Sequence, residues 1–141
     1  MPMSPSINGA TQAYLIPGDP VRNVRLPRMF NAAFERFGID AVMLPVQVPL
    51  RDFAVFFKSA FLARNVLGMV LAPPHKPLAV DLLDGCGLFG RVAGSVNVVR
   101  RIENNELEGD LFDGEGLLGA LDHFNIPFRG KRVLILGAGV S

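Results

Sequence analysis

The chain has 141 residues, enough for one domain with a substantial core; half are hydrophobic and only 19% charged, which excludes a disordered segment or a charged coil. Fourteen basic and thirteen acidic residues are interspersed to a net charge of +1, leaving no electrostatic footprint for nucleic acid and no polybasic membrane patch. No apolar run of about 18 residues reads as a membrane span, the opening MPMSPSINGATQ lacks a signal-peptide core, and the single cysteine, Cys86, excludes an internal disulfide and a Cys-based zinc site.

Residues 1–12 read as a flexible tail. Ala13 to Pro17 is a short apolar strand closed by Gly18-Asp19-Pro20. Pro27 suits the first turn of a helix whose apolar stripe is Met29, Ala32, Ala33, Phe34 and Phe37, and Gly38 stops it. Ala41 to Val48 is a second strand, with Pro45 pointing to an edge or a bulge. Leu50 to Arg64 carries Phe53, Phe56, Phe57, Ala60 and Phe61 at helical spacing, a core-facing helix. Val66 to Leu71 is continuously apolar, as a strand buried on both faces would be. A Pro-Pro-His-Lys-Pro loop follows, then a short helix around Leu78 to Leu83 and a strand over Val96 to Ile102. Glu106 to Asp110 can return as a hairpin across Asn104-Asn105. A helix over Asp113 to Phe124 opens with Asp113 as its N-cap.

Lys131 to Leu136 is an apolar strand running into Gly137-Ala138-Gly139. A strand followed by G-x-G opens a dinucleotide-binding fingerprint: one glycine makes the tight turn and the next lets the backbone approach a pyrophosphate. An ordinary glycine turn is the alternative. A buried parallel strand needs a crossover helix after it, so the chain reads as a fragment. The fold class expected is α/β: a three-layer α/β/α domain with a mostly parallel sheet over residues 13–128, followed by the first strand of a truncated Rossmann domain over 129–141.

Several separated segments resemble one family, in order and spacing. Gly18 to Val48 resembles the first strand–helix–strand unit of shikimate dehydrogenases, where the pattern is GDPVxHSxSPxxHNAAFxxxG. GMVLAPPHKP (68–77) resembles their GxNVTxPHK loop, GSVNVVRR (94–101) resembles GAVNTVV, and LEGDLFDGEGLLGAL (107–121) resembles LxGxNTDxxGxxxxL. GKRVLILGAG (130–139) resembles the start of the family's NADP domain.

The resemblance implies a substrate-binding domain that works with NADP or NAD, held by a second domain of which Gly137 and Gly139 would be the opening. It implies Lys76 and Asp113 as the catalytic pair, with Lys76 exchanging the proton of the oxidised hydroxyl, and Asn97 as a donor and acceptor for a ring hydroxyl. Without the resemblance, Lys76 is an ordinary surface lysine, Asp113 a helix cap, Asn97 a partner for nearby backbone, and His75 structural or exposed.

The departures concern the substrate. The two serines that grip a carboxylate in the family are Val24 and Leu26 here, and the asparagine and threonine of NVT are Val70 and Ala72. Val24, Leu26 and Ala72 therefore count as substrate-facing positions that have turned apolar. Arg22, Arg25 or Arg28 could replace the serines as a carboxylate partner, or stand exposed at a helix entrance.

The function expected is an NAD(P)-dependent alcohol dehydrogenase acting on a cyclic or hydroxy-acid compound other than shikimate, with the 141-residue piece inactive by itself. The alternative is a catalytically silent binding or regulatory protein on the same scaffold, which would have no need of the Lys76–Asp113 pair. The partner expected is a small molecule, with no metal, nucleic acid or membrane; a homodimer is compatible with the sequence, and the location expected is cytoplasmic.

Overall fold

A computed structural model of the chain describes residues 7–137 and residue 139. Its elements are β1 (Gln12–Gly18), α1 (Leu26–Phe37), β2 (Ala41–Gln47), α2 (Phe53–Ala60), β3 (Val66–Val70), β4 (Gly85–Cys86), α3 (Leu88–Ala93), β5 (Val98–Arg101), β6 (Leu107–Asp110) and α4 (Asp113–His123). The six strands form one sheet in the order β2-β1-β3-β5-β6-β4. β1 pairs in parallel with β2 and β3, and β4 in parallel with β6, while β5 runs antiparallel to both its neighbours. The expected mostly parallel sheet is therefore present, with one reversed strand.

Alternation along the strands sorts the core into two layers. Ala13 and Leu15 of β1 pack toward a cluster containing Phe53, Phe57, Met69 and Val99, whereas Tyr14 and Ile16 belong with Phe34, Ala41 and Met43. Successive side chains of a strand point to opposite faces, so the clusters lie on opposite faces of the sheet. α2 covers one through Phe53 and Phe57, both wholly buried, and α1 covers the other through Phe34. Three layers result, and each fully buried phenylalanine contributes roughly 1.5–3 kcal/mol. Gly68 is required where β3 passes between β1 and β5: an added Cβ would lie 2.7 Å from the Val99 carbonyl oxygen and 3.3 Å from the Tyr14 ring.

β2 is an edge strand, as Pro45 suggested. Its outer side is gripped by α1, where the Asn31 amide donates to the Met43 carbonyl at 3.0 Å and accepts the Met43 N–H at 2.7 Å. The stripe expected on α1 is displaced by one row. Leu26 and Phe34 sit in the core cluster, while Met29 and Phe37, on the neighbouring i,i+4 row, are 66% and 71% exposed.

Other differences are local. α2 ends at Ala60 rather than Arg64, because Arg101 reaches across to take the carbonyls of Phe61, Ala63 and Val66 at 2.7, 3.0 and 3.2 Å. The helix expected around Leu78–Leu83 is a single 3-10 turn, Val80–Leu82. The hairpin forms as expected, with Asn104 and Asn105 both at positive φ in its turn. Residues 1–6 of the expected tail lie outside the described residues. Thr11 is buried and donates to Asp40 at 2.8 Å.

Residues 131–137 do not form the expected strand. They carry no regular structure, and Val133 to Leu136 are 70–88% exposed. A strand is defined by its partner, and no described strand pairs with this apolar run. Among the described residues no helix is long and apolar enough to cross a membrane.

Candidate functional site

Three connections meet at one end of the sheet. The loop after β3 carries Lys76, the lead-in to β5 carries Asn97, and α4 begins at Asp113 directly after β6. Because β5 is reversed, its start lies beside the ends of β3 and β6, which is the end where open α/β sheets place ligands. Backbone hydrogen bonds knit these connections together. Leu71 donates to the Asn97 carbonyl at 2.8 Å, Val96 to the Lys76 carbonyl at 3.1 Å, and Asn97 to the Asp110 carbonyl at 3.1 Å. The turn after β1 joins them through Asp19, whose N–H donates to the Pro73 carbonyl at 3.2 Å.

The side chains converge to match. Lys76 Nζ donates to Asp113 Oδ2 at 2.6 Å, and Asn97 Nδ2 donates to Asp113 Oδ1 at 2.7 Å. Asn97 Oδ1 in turn accepts the Phe112 N–H at 2.9 Å. Both carboxylate oxygens of Asp113 are thereby held, and the aspartate is fixed from two sides. The Lys76 side chain is only 12% exposed and that of Asp113 39%. An ammonium so shielded needs a counter-charge, and Asp113 supplies it while keeping one flank open to solvent.

The expectation that Asp113 caps its helix is corrected. The cap position is Phe112, no side chain caps the helix, and Asp113 is the first helical residue with its carboxylate turned to Lys76 and Asn97. Two strong charged or amide donors outcompete a helix terminus for that carboxylate.

His75, left open by the sequence as structural or exposed, is wholly buried. Its Nε2 lies 2.8 Å from the Val48 carbonyl oxygen, and its ring centroid is 4.5 Å from that of Phe53. A carbonyl accepts only, so Nε2 carries the hydrogen; Nδ1 has no partner. Burial pushes the imidazole below its ordinary pKa, against the opposing pull of the Val48 hydrogen bond and the Asp19 charge. No sequence signal marks this burial, since the histidine stands in a polar-looking Pro-Pro-His-Lys-Pro run.

Val24, Leu26 and Ala72, expected as substrate-facing positions, pack together with Val70, partly buried, against the cluster of Ile16, Phe34, Ala41 and Met43. Arg22, Arg25 and Arg28 are exposed, and none is ion-paired among the described residues. Gly137 has φ +99, and a Cβ added at Gly137 or Gly139 would meet nothing within 4 Å. Ala138 between them lies outside the described residues. A cavity of about 380 Å³ opens beside β5 and β6, but Lys76, Asn97 and Asp113 do not line it. Its charged lining residues are Arg100, Glu108 and Asp110, of which Arg100 and Glu108 pair at 2.7 Å. Among the described residues no group of three or more His, Cys, Asp and Glu could hold a metal ion.

A family described as the shikimate dehydrogenase substrate binding domain matches residues 16–99. The shikimate dehydrogenase (NADP(+)) of Pyrococcus furiosus is 36% identical over 133 residues, 94% of this chain and 48% of that protein. The crystal structure of shikimate 5-dehydrogenase from Listeria monocytogenes in complex with shikimate and NAD superposes with TM-score 0.80 at 28% identity, covering 86% of this chain and 42% of that one. The ligand-free 5-ketofructose reductase of Gluconobacter sp. strain CHM43 superposes with TM-score 0.76 at 27% identity, covering 82% and 41%. The chain spans about half the length of the curated relatives it matches.

Proposed function

Since the chain belongs to the shikimate dehydrogenase substrate-binding domain family, we propose that it is the substrate-binding part of an NAD(P)-dependent oxidoreductase that interconverts an alcohol and a ketone. The observation that carries this reading is the Lys76–Asp113 contact of 2.6 Å, braced by Asn97, at the ligand-binding end of the sheet. In the oxidation direction Lys76, as the neutral amine, takes the hydroxyl proton; in the reduction direction, as the ammonium, it gives a proton to the carbonyl oxygen. Asp113 holds the lysine nitrogen in place, and Asn97 fixes Asp113. NADP or NAD, when bound, supplies the hydride chemistry. Gly137 and Gly139 would offer backbone to its pyrophosphate.

The substrate of this reading is a cyclic or hydroxy-acid compound other than shikimate. Its support is the apolar grouping of Val24, Leu26, Val70 and Ala72 where the family carries serine, asparagine and threonine. A site built to hydrogen-bond hydroxyls discriminates strongly when those partners are missing, by factors of about 10⁴ at a dedicated site. The 5-ketofructose reductase on the same scaffold carries a different substrate in its name. The test is to assay the full-length protein with NADP and NAD against a panel of cyclic alcohols and hydroxy acids of graded hydroxylation. Turnover of the less hydroxylated members, lost on Lys76→Ala, is expected. Turnover of none of them would sink the dehydrogenase reading in favour of a silent binder.

A further inference from the structure

Lys76 is held in place from two directions, and only one of them belongs to the reacting cluster. Its own carbonyl accepts the Val96 N–H at 3.1 Å, one residue before Asn97. On the other side stands His75, wholly buried, whose Nε2–H reaches the Val48 carbonyl at 2.8 Å across the gap between the β2 and β3 connections. Val48 is itself fixed, buried and donating its N–H to the Gly18 carbonyl at 3.0 Å. The imidazole also lies against Phe53 at the start of α2, at 4.5 Å between centroids. No other side-chain hydrogen bond is made by residues 73–75 among the described residues, where the chain runs through two prolines that have no N–H to give.

We propose that His75, as the Nε2–H tautomer, is the positioning residue that pins the lysine-bearing loop to Val48 and so sets Lys76 Nζ against Asp113. The proposal deepens the reading of Lys76 as the proton-transfer group and rests on it. An imidazole suits the task because it fills a buried space beside an aromatic ring and directs one donor at a fixed carbonyl. Its buried Nδ1 has no acceptor, so a second proton would be left unsatisfied. The depressed pKa agrees with a ring that stays neutral.

The experiment reads the position of Lys76 without any substrate. Lys58 and Lys131 are exposed, whereas the Lys76 side chain is 12% exposed and paired. The full-length protein is acylated with N-succinimidyl acetate, and the labelling rate of each lysine is followed by mass spectrometry, with Lys58 as internal reference. His75→Leu is expected to raise Lys76 labelling relative to Lys58 by roughly ten-fold or more, the population change that loss of one buried hydrogen bond brings. His75→Gln, whose amide nitrogen reaches the position of Nε2, is expected to stay near the wild-type rate. His75→Asn, too short to reach Val48, is expected to follow the leucine variant. Should His75→Leu not unfold cooperatively, the Gln–Asn contrast carries the test. Equal Lys76 labelling in Gln and Asn variants, or wild-type labelling in Leu, would overturn the proposal. The labelling contrast does not depend on dehydrogenase activity, so an inactive substrate panel tells against the proposed reaction and not against the pin.

Discussion

Lys76 and Asp113 are 37 residues apart in the chain and 2.6 Å apart in space, and Asn97 touches the same carboxylate from its other oxygen. Lys76→Ala in the full-length protein removes the proposed proton-transfer group while leaving Asp113 held by Asn97. A fall of about 10²–10⁴ in rate is expected, in kcat more than in KM, because the proton moves in the transition state. Asp113→Asn should be nearly as harmful. Because Asp113 is 39% exposed and stays bonded to Asn97, Lys76→Ala should cost less than about 1 kcal/mol in thermal unfolding, whereas Asp113→Asn leaves the shielded ammonium without its counter-charge and should cost about 1–3 kcal/mol. Steady-state kinetics beside thermal melts check both halves.

Shikimate should be a poor substrate. A specificity constant at least about 10³ below the roughly 10⁴–10⁸ M⁻¹s⁻¹ of working enzymes is expected with shikimate and NADP. The double variant Val24→Ser with Leu26→Ser restores the hydroxyls of the family pattern and should raise that constant by about ten-fold or more, one charge-assisted hydrogen bond being worth that much. Efficient turnover of shikimate by the unaltered protein would remove the specificity argument and leave the proton-transfer pair standing.

His75 gives the fold a pH dependence of definite sign. Its pKa is lowered in the folded state from an ordinary 6.5. The unfolded chain therefore binds the proton first as pH falls, so stability is full above about 6.5 and declines below it. Urea midpoints measured between pH 7.5 and 5 should fall, and His75→Gln, which cannot take the proton, should flatten that part of the curve. An unchanged slope in the variant would mean that other groups produce the decline.

Asn31→Leu should destabilise the protein by about 1–3 kcal/mol, since the N–H and C=O of the buried Met43 lose both their partners at once. Asn31→Asp keeps an acceptor for the Met43 N–H but loses the donor to its carbonyl, and should fall between. Chemical denaturation of the three proteins at neutral pH orders them.

The apolar runs Ala13–Pro17, Ala41–Val48 and Val66–Leu71 were legible as strands because sheet interiors are read directly from burial. The Phe53–Phe57–Phe61 row was legible for the same reason at helical spacing. Gly85–Cys86 and the six residues of α3 escaped, since a two-residue strand and a single helical turn and a half leave no periodicity to read. The strand expected over Lys131–Leu136 had the right composition, but composition does not supply a neighbour. At the site, the family pattern located Lys76, Asn97 and Asp113, yet the partners of Asp113 depend on three connections meeting in space. The burial of His75 depends on Val48 and Phe53, 27 and 22 residues earlier, and no local pattern encodes that.

The bracket that Asn31 places around Met43 also decides how far the sheet can grow. In β2 the N–H groups of even-numbered residues face β1, as Val48 shows by donating to Gly18, so the odd-numbered ones face outward. The outward N–H of Ala41 is spent on the Ile39 carbonyl, that of Met43 on Asn31, and Pro45 has none. At the far edge, β4 offers only two residues. A passing strand finds no free ladder of donors at the first edge and too little length at the second. Templated aggregation along the sheet is thereby discouraged, and if two copies associate they must meet through side chains rather than by extending a common sheet.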